Sequence, residues 1–114
     1  MTKHNKVFRL ADSKRLTGKS LGVSPWVFID QTQVNIFAEV TRWRTPGHCD
    51  PEFASNTKYG GTLIHGFHVI SLLSHFYKSA ELWPEDGRDP LNYGIDKVRI
   101  LKNNVEFEIL RLKF

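Results

Sequence analysis

The sequence predicts an α+β fold, and three observations carry that prediction. Apolar residues recur at helical spacing from Val34 to Thr41, a strongly apolar run fills residues 67–82, and two strand-like segments, 95–101 and 105–114, close the chain.

Residues 1–20 hold Lys3, Lys6, Arg9, Lys14, Arg15 and Lys19 against the single acid Asp12. Val7, Phe8, Leu10 and Ala11 give this segment a weak apolar face, and Gly18 is placed to stop a helix. It reads as a solvated basic helix. No aromatic residues interleave its charges as they do in a nucleic-acid-binding arm. Trp26-Val27-Phe28-Ile29 reads as a short buried strand. Asp30 follows as an N-cap whose carboxylate accepts free amides of the next turn, and Gln33 stands in capping-box position. Val34, Phe37, Ala38 and Thr41 then predict a helix over residues 31–41.

Residues 42–49 read as a loop, punctuated by Pro46 and Gly47. Asp50-Pro51-Glu52 opens a second helix: an N-cap, a proline at the first helical position, then an acid in the first turn. It must end before Gly60-Gly61. Within residues 67–82, Phe67, Val69, Ile70, Leu72, Leu73, Phe76 and Tyr77 cover most of a helix circumference, the pattern of a buried helix. Ser71, Ser74, His75 and Lys78 form a narrow polar stripe along it. Serines there also bond back to carbonyls of the preceding turn. Residues 83–91 form a polar loop with Pro84, Gly87 and Pro90. The last two strands turn at Asn103-Asn104, which tolerate the positive φ of a tight hairpin. Val105, Phe107 and Ile109 share one strand face, Glu106 and Glu108 the other.

A length of 114 residues is one domain, and 40% apolar with 25% charged residues is ordinary globular composition. A chain this short buries only about two-thirds of its unfolded surface, so a partner subunit adds stability. No apolar run approaches the roughly 18 residues that span a bilayer. The basic N-terminus lacks the apolar stretch of a signal peptide. Cys49, the only cysteine, forms no internal disulfide and fits a reducing compartment, so a cytoplasmic protein is expected. Collagen, coiled-coil, disulfide-framework and integral-membrane classes are excluded. The net charge of +4 is compatible with phosphate-bearing ligands without choosing among them.

Histidines stand at 4, 48, 65, 68 and 75. His65 and His68, three apart at a helix start, are spaced to face one metal ion, but no third ligand is placed beside them and no metal site is expected. A different constellation carries more. Gly60-Gly61-Thr62-Leu63-Ile64-His65-Gly66 leads directly into the apolar run. Glycine at the start of a buried helix leaves bare amides open to a ligand, and such amides suit a developing oxyanion, for example on a thioester carbonyl.

These blocks resemble the MaoC-like dehydratases. The resemblance opens with Ser24-Pro25-Trp26, Ile29-Asp30-Gln31, Asn35-Ile36-Phe37-Ala38 and Thr41. It continues through His48, Asp50-Pro51-Glu52, Ala54, Tyr59-Gly60-Gly61-Thr62, His65-Gly66-Phe67 and Ser71-Leu72-Leu73. It closes with Asn92-Tyr93-Gly94 and Asp96-Lys97-Val98-Arg99. The order covers roughly residues 20 to 100 and is nearest the (R)-specific enoyl-CoA hydratases and nodulation-protein-N-like proteins.

The resemblance implies a single hot-dog domain over residues 1–114, with an antiparallel sheet wrapped around a long central helix that starts near Gly66. It implies a homodimer with acyl-CoA bound near the subunit interface, and no nucleic-acid or membrane partner. The implied reaction is the reversible hydration of a trans-2-enoyl-CoA, with the coenzyme A thioester as substrate and no cofactor. An Asp and a His five residues later activate the water in that family, and a glycine amide at the helix start polarises the thioester carbonyl. Carried over, the catalytic positions are His48, Gly66 and Ser74. The substrate-binding positions are Gly61, His65, Ser71, Tyr93 and Gly94. Lys58, Lys97 and Arg99 are candidates for the cofactor-derived phosphates, or simply solvated charges.

The chain departs from the family at one decisive place. Trp43 stands five positions before His48, where the family has its Asp, and indole neither accepts a proton nor orients an imidazole as a carboxylate does. Loss of activity with retention of the binding cleft explains this, as does a compensated reading-frame change across codons 41–49. A second departure is the end of the chain, where family members continue with further strand. An uncovered final strand leaves an exposed edge, which predicts poor solubility or pairing with another chain. Three readings remain open: an impaired enoyl-CoA hydratase, an inactive hot-dog module that binds acyl-CoA or a partner protein, and a hot-dog acyl-CoA thioesterase.

Overall fold

Two compact units divide the chain in the computed structural model, which describes residues 8–88, 91–100 and 108–110. The first unit takes the described residues of 26–73 and 99–110, the second those of 1–25 and 74–98.

In the first unit, β1 (Val27–Ile29) pairs antiparallel with β2 (Glu108–Leu110), in the register Val27 to Leu110, Phe28 to Ile109 and Ile29 to Glu108. The expected fully buried strand is corrected here. Ile29 is buried while Trp26 and Phe28 are exposed, because successive strand residues point to opposite faces. Helix α2 (Gln31–Thr41) has the bounds that its capping and periodicity predict. The Gln33 amide N–H donates to Asp30 Oδ1 at 2.9 Å, and the Asp30 N–H donates to Gln33 Oε1 at 2.9 Å. Two otherwise unpaired amides are thereby satisfied. Val34 and Ala38, four apart, form its buried face. The helix stops at Arg42, which adopts the left-handed conformation with φ 60°, and Trp43 N–H closes back on Ala38 O at 3.0 Å. Glycine usually takes such a position.

The predicted loop over residues 42–49 contains a short helix, α3 (Pro46–Cys49). Pro46 presets its first turn, and Thr45 O accepts from the amides of His48 and Cys49 at 3.1 and 2.9 Å. Asp50 then ends α3 and caps α4 (Pro51–Ser55), accepting Phe53 N–H at 3.1 Å as expected. The long helix predicted over residues 67–82 is two helices, α5 (Gly66–Ser71) and α6 (Leu73–Ser79). Ser71 donates its hydroxyl to Phe67 O at 2.6 Å, and Leu72 N–H tightens onto Val69 O at 3.1 Å. Back-bonding of this kind bends a helix. Nor is α5 buried all round. Val69 and Leu72, one turn apart, pack on the buried cluster of Ile29, Val34 and Ile64, and this turns Phe67 outward, 77% exposed.

In the second unit a 3₁₀ turn (Leu10–Asp12) and α1 (Ser13–Leu16) replace the longer basic helix expected there, and Gly18 follows at φ +79°. Leu10 N–H donates to Asp86 Oδ1 at 2.9 Å and Glu85 N–H to Phe8 O at 2.8 Å, which fastens residues 8–10 to the 85–86 turn. Phe76 and Leu82 are buried in this unit. Residues 95–100 are exposed and irregular rather than strand, because the ladder described for β2 is made with β1. The predicted turn at Asn103-Asn104 and the strand residues 105–107 lie outside the described residues. The wrapped sheet expected of a hot-dog fold is represented among the described residues by β1 and β2 alone. Among those residues, no helix is long and apolar enough to cross a membrane.

Replacing Asp30→Ala removes one half of a reciprocal cap. It is expected to cost about 1 kcal/mol of stability, read from the midpoint of urea unfolding.

Candidate functional site

Gln31, the first residue of α2, gathers three segments of the first unit. Its Nε2 donates to His48 O at 2.7 Å and to Asn35 Oδ1 at 3.0 Å, while its Oε1 accepts the Thr62 hydroxyl at 2.7 Å. Thr62 is buried, so its hydroxyl needs such a partner. One residue further, Leu63 donates its N–H to Gly47 O at 3.0 Å, and its carbonyl lies 2.7 Å from His48 Nδ1. A carbonyl only accepts, so Nδ1 carries the hydrogen and Nε2 of the neutral ring keeps its lone pair.

The ring of His65 stacks on that of His48, with centroids 3.8 Å apart and planes 18° from parallel. His65 is only 5% exposed. Its Nε2 lies 3.2 Å from Trp43 O, which makes Nε2 the donor and leaves the lone pair on Nδ1. Phe37 lies against both remaining rings, tilted on His65 at 5.1 Å and stacked on His68 at 4.7 Å. Nδ1 of His65 and Nδ1 of His68 are buried and have no hydrogen-bond partner among the described residues. Burial pushes the His65 imidazole below the usual histidine range. The Trp43 carbonyl opposes this in part, and repulsion from His48 adds to it. Burial does the same to His68, helped by repulsion from His65.

The indole of Trp43 points into solvent, 64% exposed, while its carbonyl reaches inward to His65. Gly66 opens α5 directly after His65, and the first amides of a helix have no intrahelical acceptor. A Cβ on Gly66 would touch Ile100 Cγ1 at 3.4 Å. Gly61 is half-buried and leads into Thr62, whereas Ser71 spends its hydroxyl on Phe67 O. Ser74, Tyr93 and Gly94 belong to the second unit and are exposed. Cavities open among the described residues of the first unit. One, of about 430 Å³, is lined by Arg44, Thr45, Pro46, Cys49, Asp50 and Pro51. Another, of about 300 Å³, is mainly apolar, and Ile36, Phe37, Val40, Leu72 and His68 are among its walls. No three His, Cys, Asp or Glu side chains converge as a metal site requires among the described residues.

Sequence reasoning singled out His48 and His65 but not the groups that hold them. The carbonyls of Trp43 and Leu63 carry no signal in residue identity. Gln31 and Thr62 were visible only as members of ordered blocks.

The family described as MaoC like domain matches residues 12–103 of the chain. A Nodulation protein N of Rhizobium leguminosarum bv. viciae is 39% identical over 93 residues, covering 81% of this chain and 58% of that protein. A Nodulation protein N of Rhizobium meliloti (strain 1021) is 37% identical over the same length. A 3-hydroxyacyl-thioester dehydratase Z of Mycobacterium tuberculosis (strain ATCC 25618 / H37Rv) is 36% identical over 91 residues, covering 79% of this chain and 59% of that protein. The chain thus spans a little under three-fifths of the length of the curated relatives it matches.

The His65 and His68 imidazoles set a pH dependence. Their folded pKa values lie below the ordinary 6.5, so near and below that pH the unfolded chain binds more protons than the folded one. Their contribution to stability is present above about pH 6.5 and is lost as the pH falls through the folded values. The melting temperature is expected to be lower at about pH 5.5 than at about pH 7.5, and His68→Phe to flatten that decline. Calorimetry across the range checks both.

Proposed function

Because the chain belongs to the MaoC-like dehydratase family, we propose that it acts on 2-enoyl thioesters as an (R)-specific enoyl-CoA hydratase whose rate is limited by Trp43. The observation that carries the proposal is the fixed tautomer of His48. Its Nδ1–H is held by the Leu63 carbonyl at 2.7 Å, which reserves Nε2 as a base. The name of the mycobacterial relative, 3-hydroxyacyl-thioester dehydratase Z, describes the same chemistry in the reverse direction.

In the proposed reaction, water adds its oxygen to C3 of the enoyl thioester while His48 Nε2 takes the proton. The C2–C3 π electrons move toward the thioester oxygen, where the Gly66 amide offers a hydrogen bond to the developing charge. Return of the proton from the His48 imidazolium to C2 completes the addition and restores the neutral ring. Gly61 and Ser71 are proposed to contact substrate. The apolar cavity beside Phe37 suits an acyl chain. Arg44, in the wall of the cavity of about 430 Å³, joins Lys58 and Arg99 as a candidate for the phosphates. A homodimer with its ligand near the subunit interface follows from the same family reading. No cofactor is required beyond the coenzyme A thioester that is the substrate.

Trp43 favours a second reading, an acyl-CoA-binding module without turnover, since the family carboxylate is missing. The two are separated by assay. Slow crotonyl-CoA hydration that His48→Gln abolishes supports the hydratase. Because the Trp43 indole is exposed, Trp43→Asp leaves the core intact; it is expected to raise the rate by roughly a hundredfold or more if only the carboxylate is missing, and to leave it unchanged if the new side chain keeps the outward course of the indole. A folded protein that crotonyl-CoA stabilises against melting, with no hydration before or after that substitution, is the binding module.

A further inference from the structure

We infer that His65 is a positioning residue for His48, acting through the stacked imidazoles and through the Trp43 carbonyl rather than by touching substrate. The inference rests on the hydratase reading above for its kinetic consequence, but its structural content stands apart from it.

A substrate-binding side chain has to meet solvent or ligand, and His65 is only 5% exposed. Its ring is committed on three sides. One face lies on His48 at 3.8 Å, Phe37 approaches at 5.1 Å, and Nε2 holds the carbonyl of residue 43 at 3.2 Å. The titratable groups in ring contact or Coulombic contact with it are His48 and His68. One buried ring therefore spans the two positions that the family reaction uses together, residue 43 and His48. The covalent path between them runs through Arg44, Thr45, Pro46 and Gly47, and the ring fastens that segment at its far end. A ring held only by Leu63 at Nδ1 still rotates about that bond. A second ring against its face removes that freedom and keeps Nε2 aimed in one direction. Charging His65 would place a buried cation against His48 and a second hydrogen on an Nδ1 with no partner among the described residues, so the arrangement holds only with His65 neutral.

The test uses the full chain labelled with ¹⁵N, free of substrate and at mildly alkaline pH, where imidazole nitrogen resonances report the tautomer. His65 is expected as the Nε2–H form and His48 as the Nδ1–H form. Either ring in the opposite tautomer overturns the inference. His65→Gln keeps an amide donor for the Trp43 carbonyl but lacks a ring. In it the two His48 nitrogen resonances are expected to draw together, and kcat for crotonyl-CoA to fall by roughly ten- to a hundredfold with KM little changed. His65→Phe keeps a ring against His48 and is expected to retain separated His48 resonances and a larger share of kcat. A His65→Gln protein with the wild-type His48 spectrum and kcat overturns the positioning role. If the wild-type chain hydrates no enoyl-CoA while His65→Gln still merges the His48 resonances, the positioning role stands and the hydratase reading falls. Should His65→Gln not fold, the wild-type tautomers and the His65→Phe spectrum decide.

Discussion

A single side-chain amide, that of Gln31, is the constraint on which the rest of the site depends. It accepts from Thr62 and donates to the carbonyl of His48, so the start of α2, the helix α3 and the segment leading into α5 are held at one point. The next residue after Thr62, Leu63, supplies the carbonyl that fixes the His48 tautomer, and its own N–H returns to Gly47. Each of these bonds presents the backbone for the next. Loss of the amide would remove its bonds to Thr62, His48 and Asn35 together.

Around that point the site is built from aromatic rings rather than charges. Phe37, His48, His65 and His68 are in face or edge contact, and His65 and His68 each keep a buried nitrogen without a partner among the described residues. Such groups are expensive in a core and cluster where function requires them. The backbone of residue 43 reaches the ring system while its side chain does not, because the left-handed turn at Arg42 sends the Trp43 indole outward and its carbonyl inward.

Helix α2 with its capping box and the capped start of α4 were readable from residues 30–41 and 50–52, because caps and periodicity are local. The break at Leu72 was not, although Ser71 offered the means. An apolar run looks the same whether it belongs to one buried helix or to two, and only the back-bonded hydroxyl distinguishes them. The family also followed from ordered blocks of residue identity. Those blocks brought out His48, His65 and Gly66 before any geometry was known.

Residue identity by itself thus determined the capped helices and the membership of the MaoC-like dehydratases. Tertiary structure alone decided that His48 donates from Nδ1, that His65 lies buried against it, and that Phe28 and Phe67 face outward. The reason is physical. Caps and helical spacing involve residues three or four apart, whereas the bonds that set these rings come from backbone carbonyls 15 and 22 residues away, which every amino acid carries alike.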